Sequence, residues 1–119
     1  MNKIQKLLQE IPDKFTINYQ EYKVKAKDKI HFDGEQHLGL THLYGDNPEI
    51  QLALSLDDDC QLSDATILNT YYHELCHVLL TSAGIDDSEI TVQSLANAMM
   101  QYEISKESTH GELSKRIKK

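Results

Sequence analysis

The apolar residues at the start of the chain recur every three or four positions, which is the spacing of one face of a helix. This run ends at Pro12, and proline cannot continue a helix. The sequence therefore predicts a short amphipathic helix over residues 2–11. Its apolar positions are Ile4, Leu7, Leu8 and Ile11.

A period of two then replaces the helical spacing, and this alternation is typical of β-strands. It covers residues 15–26 and slips near residues 20–21, which indicates a single strand with a local irregularity. Two further alternating runs, residues 38–44 and 49–55, flank a turn-forming segment that contains glycine, asparagine and proline. These two runs predict a β-hairpin.

The second half of the chain predicts two helices. Ser63 or Asp64 can cap the first, which runs to about Ser82 and ends before Gly84. The second helix follows a short connection that offers three capping residues, Asp86, Asp87 and Ser88. The order of elements predicts an α+β domain over residues 1–104, with an antiparallel meander of about three strands covered by helices.

Composition and charge narrow the class of protein. The chain has 119 residues, which suits one domain, and its two cysteines are too few for a disulfide framework. Charged residues interrupt the apolar stretch at the N-terminus, which argues against a signal peptide. No segment approaches the ~20 apolar residues that span a bilayer. We therefore expect a cytoplasmic protein with no membrane partner.

The charge is unevenly distributed along the chain. Residues 105–119 carry five basic and two acidic side chains, whereas the remainder carries seven basic and seventeen acidic ones. An acidic body is a poor match for a phosphate backbone, so a nucleic-acid partner is not expected. The basic segment is interpreted as a charged, flexible tail.

The segment His73-Glu74-Leu75-Cys76-His77 contains candidate metal ligands and a candidate general base. His73 and His77 lie four positions apart within the first long helix, so both imidazoles project from one face and can bind one metal ion. Zinc favours imidazole ligands, and Glu74 is placed to act as general base towards a water molecule. This HExxH spacing predicts a zinc-dependent peptidase.

Two histidines leave zinc short of ligands, so a third has to come from elsewhere in the chain. Glu89 is favoured because it shares an inward-facing stripe of the second helix with Val92 and Ala96. A first-turn glutamate is also explained by the helix dipole alone. Asp86 and Asp87 are interpreted as capping residues. The other downstream candidates are Glu103 and His110.

The HELCHVLL segment and the helix that opens at Glu89 resemble the ImmA/IrrE family of zinc peptidases, above all its compact versions from phages and mobile elements. The resemblance covers roughly residues 38–102. It implies a small zincin-like domain in which Glu89 is the third zinc ligand. Cys76 stands where the family often has glycine, and the short interval between His77 and Glu89 requires a tight connection.

The leading hypothesis is a zinc metallopeptidase that hydrolyses a peptide bond in a protein or peptide substrate. The alternative is a zincin-like metal-binding module of phage or mobile-element origin that binds a host protein without catalysis. A third hypothesis retains the zinc and replaces the peptide with another amide or an ester.

Three further residues are candidates for a role near the metal. His42 and Tyr44 share one face of the strand before the turn, where they could contact substrate or stabilise an oxyanion, although an ordinary role on the strand surface is the favoured interpretation. Cys76 lies off the metal-binding stripe among apolar neighbours and is interpreted as a buried thiol. A Cys76 nucleophile is the weaker alternative because the histidines are needed as ligands.

Overall fold

Four helices and eight short strands make up the described part of the chain, residues 1–43, 45–106 and 111–117, in a computed structural model. The helices are α1 (Lys3–Gln9), α2 (Asp64–Ser82), α3 (Glu89–Ser105) and α4 (Glu112–Ile117). The strands are β1 (Lys14–Ile17), β2 (Gln20–Lys27), β3 (Ile30–Phe32), β4 (Glu35–His37), β5 (Gly39–His42), β6 (Glu49–Ala53), β7 (Ser55–Leu56) and β8 (Cys60–Gln61). This arrangement confirms the predicted α+β class.

The main sheet has the strand order β1-β2-β6-β5 and is mixed. β1 and β2 are antiparallel, as are β5 and β6, but β2 and β6 run parallel with Val24 opposite Ile50. The predicted antiparallel meander is therefore wrong, although the hairpin over residues 38–55 is confirmed as β5–β6. Alternation within a strand shows which residues face the core, but it does not show which distant strand lies alongside.

The segment 15–26 is a hairpin and not one irregular strand. Asn18 and Tyr19 both have positive φ, 49° and 65°, so the chain reverses between β1 and β2. Positive φ at both central residues is the requirement of a type I′ turn. Tyr19 is an unusual residue at such a position, and no glycine marks the turn, which is why the alternation read as a slip.

The core lies between one face of this sheet and the helices. Ile50 of β6, Leu68 and Val78 of α2 and Val92 of α3 have no exposed surface, and all belong to one apolar cluster. The lysines at alternate positions of β2 are exposed, so that side of the strand faces solvent. The sheet therefore presents its apolar face to α2, which contacts β5, β6, α1 and α3.

The helix boundaries follow from local capping. The Ser63 side chain accepts a hydrogen bond from the Thr66 backbone N–H, which confirms one of its two predicted caps. Ser88 caps α3 in the same way through Thr91. Capping therefore does not explain Asp86 or Asp87, and that interpretation is wrong for both.

The basic tail contains the exposed helix α4, in which Arg116 and Glu112 pair at 2.8 Å. Among the helices that the structure describes, none has the length and apolarity needed to cross a membrane.

Gly39 sets how closely β5 approaches α2. A Cβ atom at this position would lie 2.6 Å from Thr70 Cγ2 and 3.1 Å from Glu74 Cγ. Thr70 is buried and its hydroxyl donates to the Thr66 carbonyl, so its branched side chain has little freedom to move away. The absence of a side chain at position 39 thus brings the edge strand against the helix that carries the HExxH segment.

We expect Gly39→Ala to lower the free energy of unfolding by about 1–3 kcal/mol, because the added methyl group forces β5 and α2 apart. Urea unfolding followed by circular dichroism measures this change. Gly111→Ala is the matched control, since a Cβ atom there meets nothing within 4 Å. Equal stability of both variants would contradict the close approach at Gly39.

Candidate metal centre

His73, His77 and Glu89 converge where α2 meets the start of α3. His73 Nε2 lies 3.1 Å from Glu89 Oε2, and His77 Nε2 lies 3.1 Å from Glu89 Oε1. One potential ligand atom from each residue lies within 4.8 Å of the other two. This group could hold a metal ion, and its members are the three residues expected from the sequence.

A tight connection between the two helices brings Glu89 to the histidines. The Ile85 backbone N–H donates to the Leu80 carbonyl at 2.8 Å, so the chain reverses within one turn of the end of α2. Val92 and Ala96 of α3 are fully buried. Their burial confirms the predicted inward stripe, and Glu89 stands on the same stripe at the first turn.

The nitrogen atoms of both histidines face acceptors on both sides of each ring. His73 Nδ1 lies 2.7 Å from Gln93 Oε1, and His77 Nδ1 lies 2.9 Å from Asp87 Oδ2. With a metal ion on Nε2, the one N–H of a neutral imidazole lies on Nδ1, where each ring has an acceptor. Both Nε2 atoms face the Glu89 carboxylate.

Either a proton on each Nε2 or one shared metal ion can link the two imidazoles to the carboxylate. Two half-buried imidazoles and one carboxylate form a donor set that suits a divalent metal ion such as zinc. The side chains of His73 and His77 are 18% and 17% exposed, whereas that of Glu89 is 74% exposed. The group is thus supported from the α2 side and open to solvent on the α3 side.

Gln93 holds its orientation through a network of amide side chains. Its Nε2 atom donates to Asn69 Oδ1 at 3.1 Å and to Asn97 Oδ1 at 2.8 Å. These two acceptors require the amide nitrogen on that side, so the carbonyl oxygen faces His73. Sequence reasoning missed Gln93, because an amide four positions after Glu89 carries no signal of its own.

Asp87 has the corresponding role towards His77. Its Oδ2 atom accepts from His77 Nδ1 and, at 3.4 Å, from the Thr81 hydroxyl. The hydrogen bond from His77 holds the pKa of the Asp87 carboxyl below its usual range. The carboxylate therefore stays ionised and orients the ring, which corrects its interpretation as a cap.

Loss of these acceptors is expected to weaken metal binding. Asp87→Ala removes the partner that fixes the tautomer of His77, and outer-shell changes of this kind typically reduce metal affinity about 10–100-fold. Competition with a chromophoric chelator measures the affinity for Zn²⁺. Gln93→Ala should weaken binding in the same direction through His73.

Asp86→Ala is the control for Asp87→Ala, because it removes an exposed carboxylate from the adjacent position with the same change of charge. If both variants lose the same affinity for Zn²⁺, the loss of a negative charge explains the effect. The loss of the hydrogen bond between His77 and Asp87 then does not explain it.

Glu74 is buried beside the metal-ligand group, at 7% exposure. The Thr41 hydroxyl of β5 donates to Glu74 Oε1 at 2.6 Å. Among the described residues, no other hydrogen bond to this carboxylate is present. The edge strand thus positions one carboxylate oxygen and leaves the other available to a water molecule.

Two adjoining clefts meet at this carboxylate. The ligand-side cleft, of about 490 Å³, contains Asp87 and Glu89, and a second cleft of about 600 Å³ extends between the helices and the β4–β5 segment. The residues common to both are His37, Gly39, His73 and Glu74. The two clefts are therefore adjacent, with His73 and Glu74 where they adjoin, and we call the pair the groove.

Two of the other candidate site residues from the sequence, His42 and Glu103, contact residues outside the metal-ligand group. His42 is not among the residues that line either cleft, and its ring lies edge-on to Phe32 with centroids 6.5 Å apart. Tyr44 and His110 lie outside the described residues. Glu103 forms an ion pair with Lys106 at 3.0 Å.

The histidine that does line the groove on the strand side is His37, which sequence reasoning left without a role. The β3–β4 hairpin brings it there, with Ile30 opposite His37 in the pairing. No spacing pattern links position 37 to the HExxH segment, so only the path of the chain could reveal it.

Cys76 is a buried thiol, as expected. It has no exposed surface, and its Sγ atom lies 3.3 Å from Met99 Sδ. Burial raises the pKa of the Cys76 thiol to about 11. A protonated, inaccessible thiol is a poor nucleophile, so this position does not compete with the metal-ligand group.

The chain matches no model of a known protein family, no curated protein and no solved structure. The resemblance to ImmA/IrrE peptidases therefore stays a prediction. The chemistry of this chain has to follow from its own residues.

Proposed function

We propose that the protein is a zinc-dependent peptidase in which His73, His77 and Glu89 bind the metal and Glu74 is the general base. One observation carries this proposal. Two imidazole Nε2 atoms and a carboxylate face one another at 3.1 Å beside a second, buried carboxylate in an open groove. A metal ion bound by these three groups would account for the first feature, and hydrolysis would give the second a function.

The residues divide the work of hydrolysis between them. Zinc, when bound, supplies Lewis-acid chemistry that polarises a carbonyl and increases the acidity of water. The three ligands orient the metal, and the acceptors on the two Nδ1 atoms hold both rings in the required tautomer. Glu74 takes a proton from the attacking water and delivers it to the leaving amine.

Thr41 supports this role of Glu74. Its hydroxyl occupies Oε1 and so limits rotation of the carboxylate, while Oε2 remains free to exchange protons. A base held in one orientation loses less entropy when the reacting geometry is reached. Thr41 therefore acts as a positioning residue.

The groove suits a substrate with an extended backbone. β5 is the last strand of the four-stranded sheet, and one of its edges pairs with no other described strand. Gly39, Leu40 and Thr41 of this strand line the ligand-side cleft. An extended peptide can add to such an edge through backbone hydrogen bonds, which would place a peptide bond beside Glu74.

The resemblance to the ImmA/IrrE family supports the same assignment, including a small zincin-like fold. The edge strand, the HExxH helix and the helix that opens with glutamate follow in the order that the family implies. A peptide bond is favoured over another amide or an ester because the unpaired strand edge offers backbone recognition.

Peptide cleavage by the metal-loaded protein tests the proposal. The purified protein is loaded with one equivalent of Zn²⁺ and incubated with a degenerate dodecapeptide mixture and an unfolded protein, and the products are identified by mass spectrometry. We expect cleavage that stops with a strong chelator and returns when Zn²⁺ is restored. A zinc-loaded protein that cleaves neither substrate would overturn the peptidase assignment and favour the metal-binding module.

A further inference from the structure

The larger cleft differs in character from the ligand-side cleft. It has a volume of about 600 Å³, within the range of roughly 300–1,000 Å³ that is typical of ligand sites. The ionisable residues among its described lining are His37, His73 and Glu74, and all three also line the ligand-side cleft. Beyond this shared end, its described walls carry no ionisable side chain.

Three polar side chains of the larger cleft, Asn69, Thr70 and Gln93, already have hydrogen-bond partners. Gln93 contacts His73 with its oxygen and two asparagine oxygens with its nitrogen, and Asn69 Nδ2 donates to Asn97 Oδ1 at 3.1 Å. The Thr70 hydroxyl donates to the Thr66 backbone carbonyl at 2.8 Å. These groups have little hydrogen-bonding capacity left for a charged guest.

Apart from Gln36, Thr66 and Gly39, the rest of the described wall is apolar. Leu38, Ala65 and Met100 line the cleft. Methionine is unbranched and flexible, so it can adapt to guests of different shape. In contrast, the ligand-side cleft contains the carboxylates of Asp87 and Glu89, and the two halves of the groove thus differ in charge.

We propose that the larger cleft binds the side chain of a substrate residue next to the cleaved bond and selects an uncharged one. This inference depends on the proposed function. The proposed function assigns His73 to the metal and Glu74 to the catalytic water, so a lysine, arginine, aspartate or glutamate side chain would leave water without a counter-charge of its own, which is costly. An apolar or amide side chain would bury its surface against Leu38 and Met100 and avoid that cost.

The experiment compares residue frequencies around the cleaved bond. Zinc-loaded wild-type protein is incubated with the degenerate dodecapeptide mixture, and the residues flanking each cut are counted by mass spectrometry. We expect one position next to the cut to be depleted of all four charged residues by about 10-fold or more. Cleavage without depletion at any adjacent position would overturn this inference and leave the peptidase assignment intact, whereas absence of cleavage would overturn both.

A charge placed in the cleft provides a second test. Ala65→Glu adds a carboxylate to the first turn of α2, where the helix dipole tolerates it. It should convert the depletion of lysine and arginine at that position into enrichment, with unchanged zinc content. Ala98→Glu, on an exposed position of α3 that lines neither cleft, is the matched control and should keep the wild-type pattern. If Ala65→Glu also keeps that pattern while cleaving, the larger cleft is not the side-chain site.

Discussion

Glu74→Gln is expected to abolish hydrolysis and to leave zinc binding unchanged. Glutamine has nearly the same shape and retains a side-chain oxygen that can accept from Thr41, so the packing at this buried position persists. It cannot accept a proton from water, and loss of a general base typically reduces rates about 10²–10⁴-fold. The measurement pairs kcat/KM on a cleaved peptide with zinc content by mass spectrometry.

Glu103→Gln is the matched control for this variant. Glu103 lies in α3 and pairs with Lys106 outside both clefts, so its loss should leave the rate unchanged. A Glu74→Gln protein that hydrolyses peptide at the wild-type rate would exclude Glu74 as the base. If Glu74→Gln loses hydrolysis but retains the biological activity of the protein, that activity comes from binding. This result would support the metal-binding module that acts without catalysis.

His77→Ala is expected to lose stoichiometric zinc and the stabilisation that zinc provides. The ligands come from α2 and α3, so a bound ion links the two helices and stabilises the folded state against the unfolded one. At a free concentration 100 times its dissociation constant, such a ligand contributes about 2.7 kcal/mol. Wild-type protein should therefore melt at a higher temperature with Zn²⁺, and the variant should not.

His31→Ala serves as the control for this histidine. His31 is exposed and pairs with Asp57 at 3.0 Å, away from the metal-ligand group. Its replacement should leave both zinc content and the zinc-dependent shift of melting temperature intact. Retention of one zinc per chain in a variant lacking both His73 and His77 would show that the ion binds elsewhere.

The edge strand connects the separate elements of the site. Gly39 allows β5 to approach α2, Thr41 of the same strand holds Glu74, and the unpaired edge borders the groove. A change in this strand is therefore expected to affect stability, base orientation and substrate binding together. Comparison of KM and kcat for Thr41→Val separates the effect on base orientation from the effect on substrate binding, because a misoriented base lowers kcat.

Local periodicity explains why the three residues that could hold a metal ion were predicted from the sequence. His73 and His77 are one turn apart, and helical geometry alone places them on one face. Glu89 required one further inference, that the buried stripe of α3 faces α2, and Val92 and Ala96 confirm it with full burial. Each of these steps depends on residues close together in the chain.

Local sequence patterns gave a wrong interpretation where the position of a polar residue had two explanations. Asp87 stands just before a helix, where carboxylates often cap, and the hydrogen bond that decides its role comes from His77. Gln93 and Thr41 carry no pattern of their own, since a glutamine on a helix and a threonine in a strand are ordinary surface residues. Their roles appear only when α3 and β5 are placed against α2.

The sequence by itself determined the α+β class, the helices α1 to α3 with most of their boundaries, and the three residues that could hold a metal ion. Only the tertiary structure decided the parallel pairing of β2 with β6, the partners of the two imidazoles, and the course of the groove past His37. The physical reason is the separation along the chain of the residues that interact. Helical periodicity and capping arise within a few residues, whereas strand pairing and side-chain partners depend on contacts between segments distant in the chain.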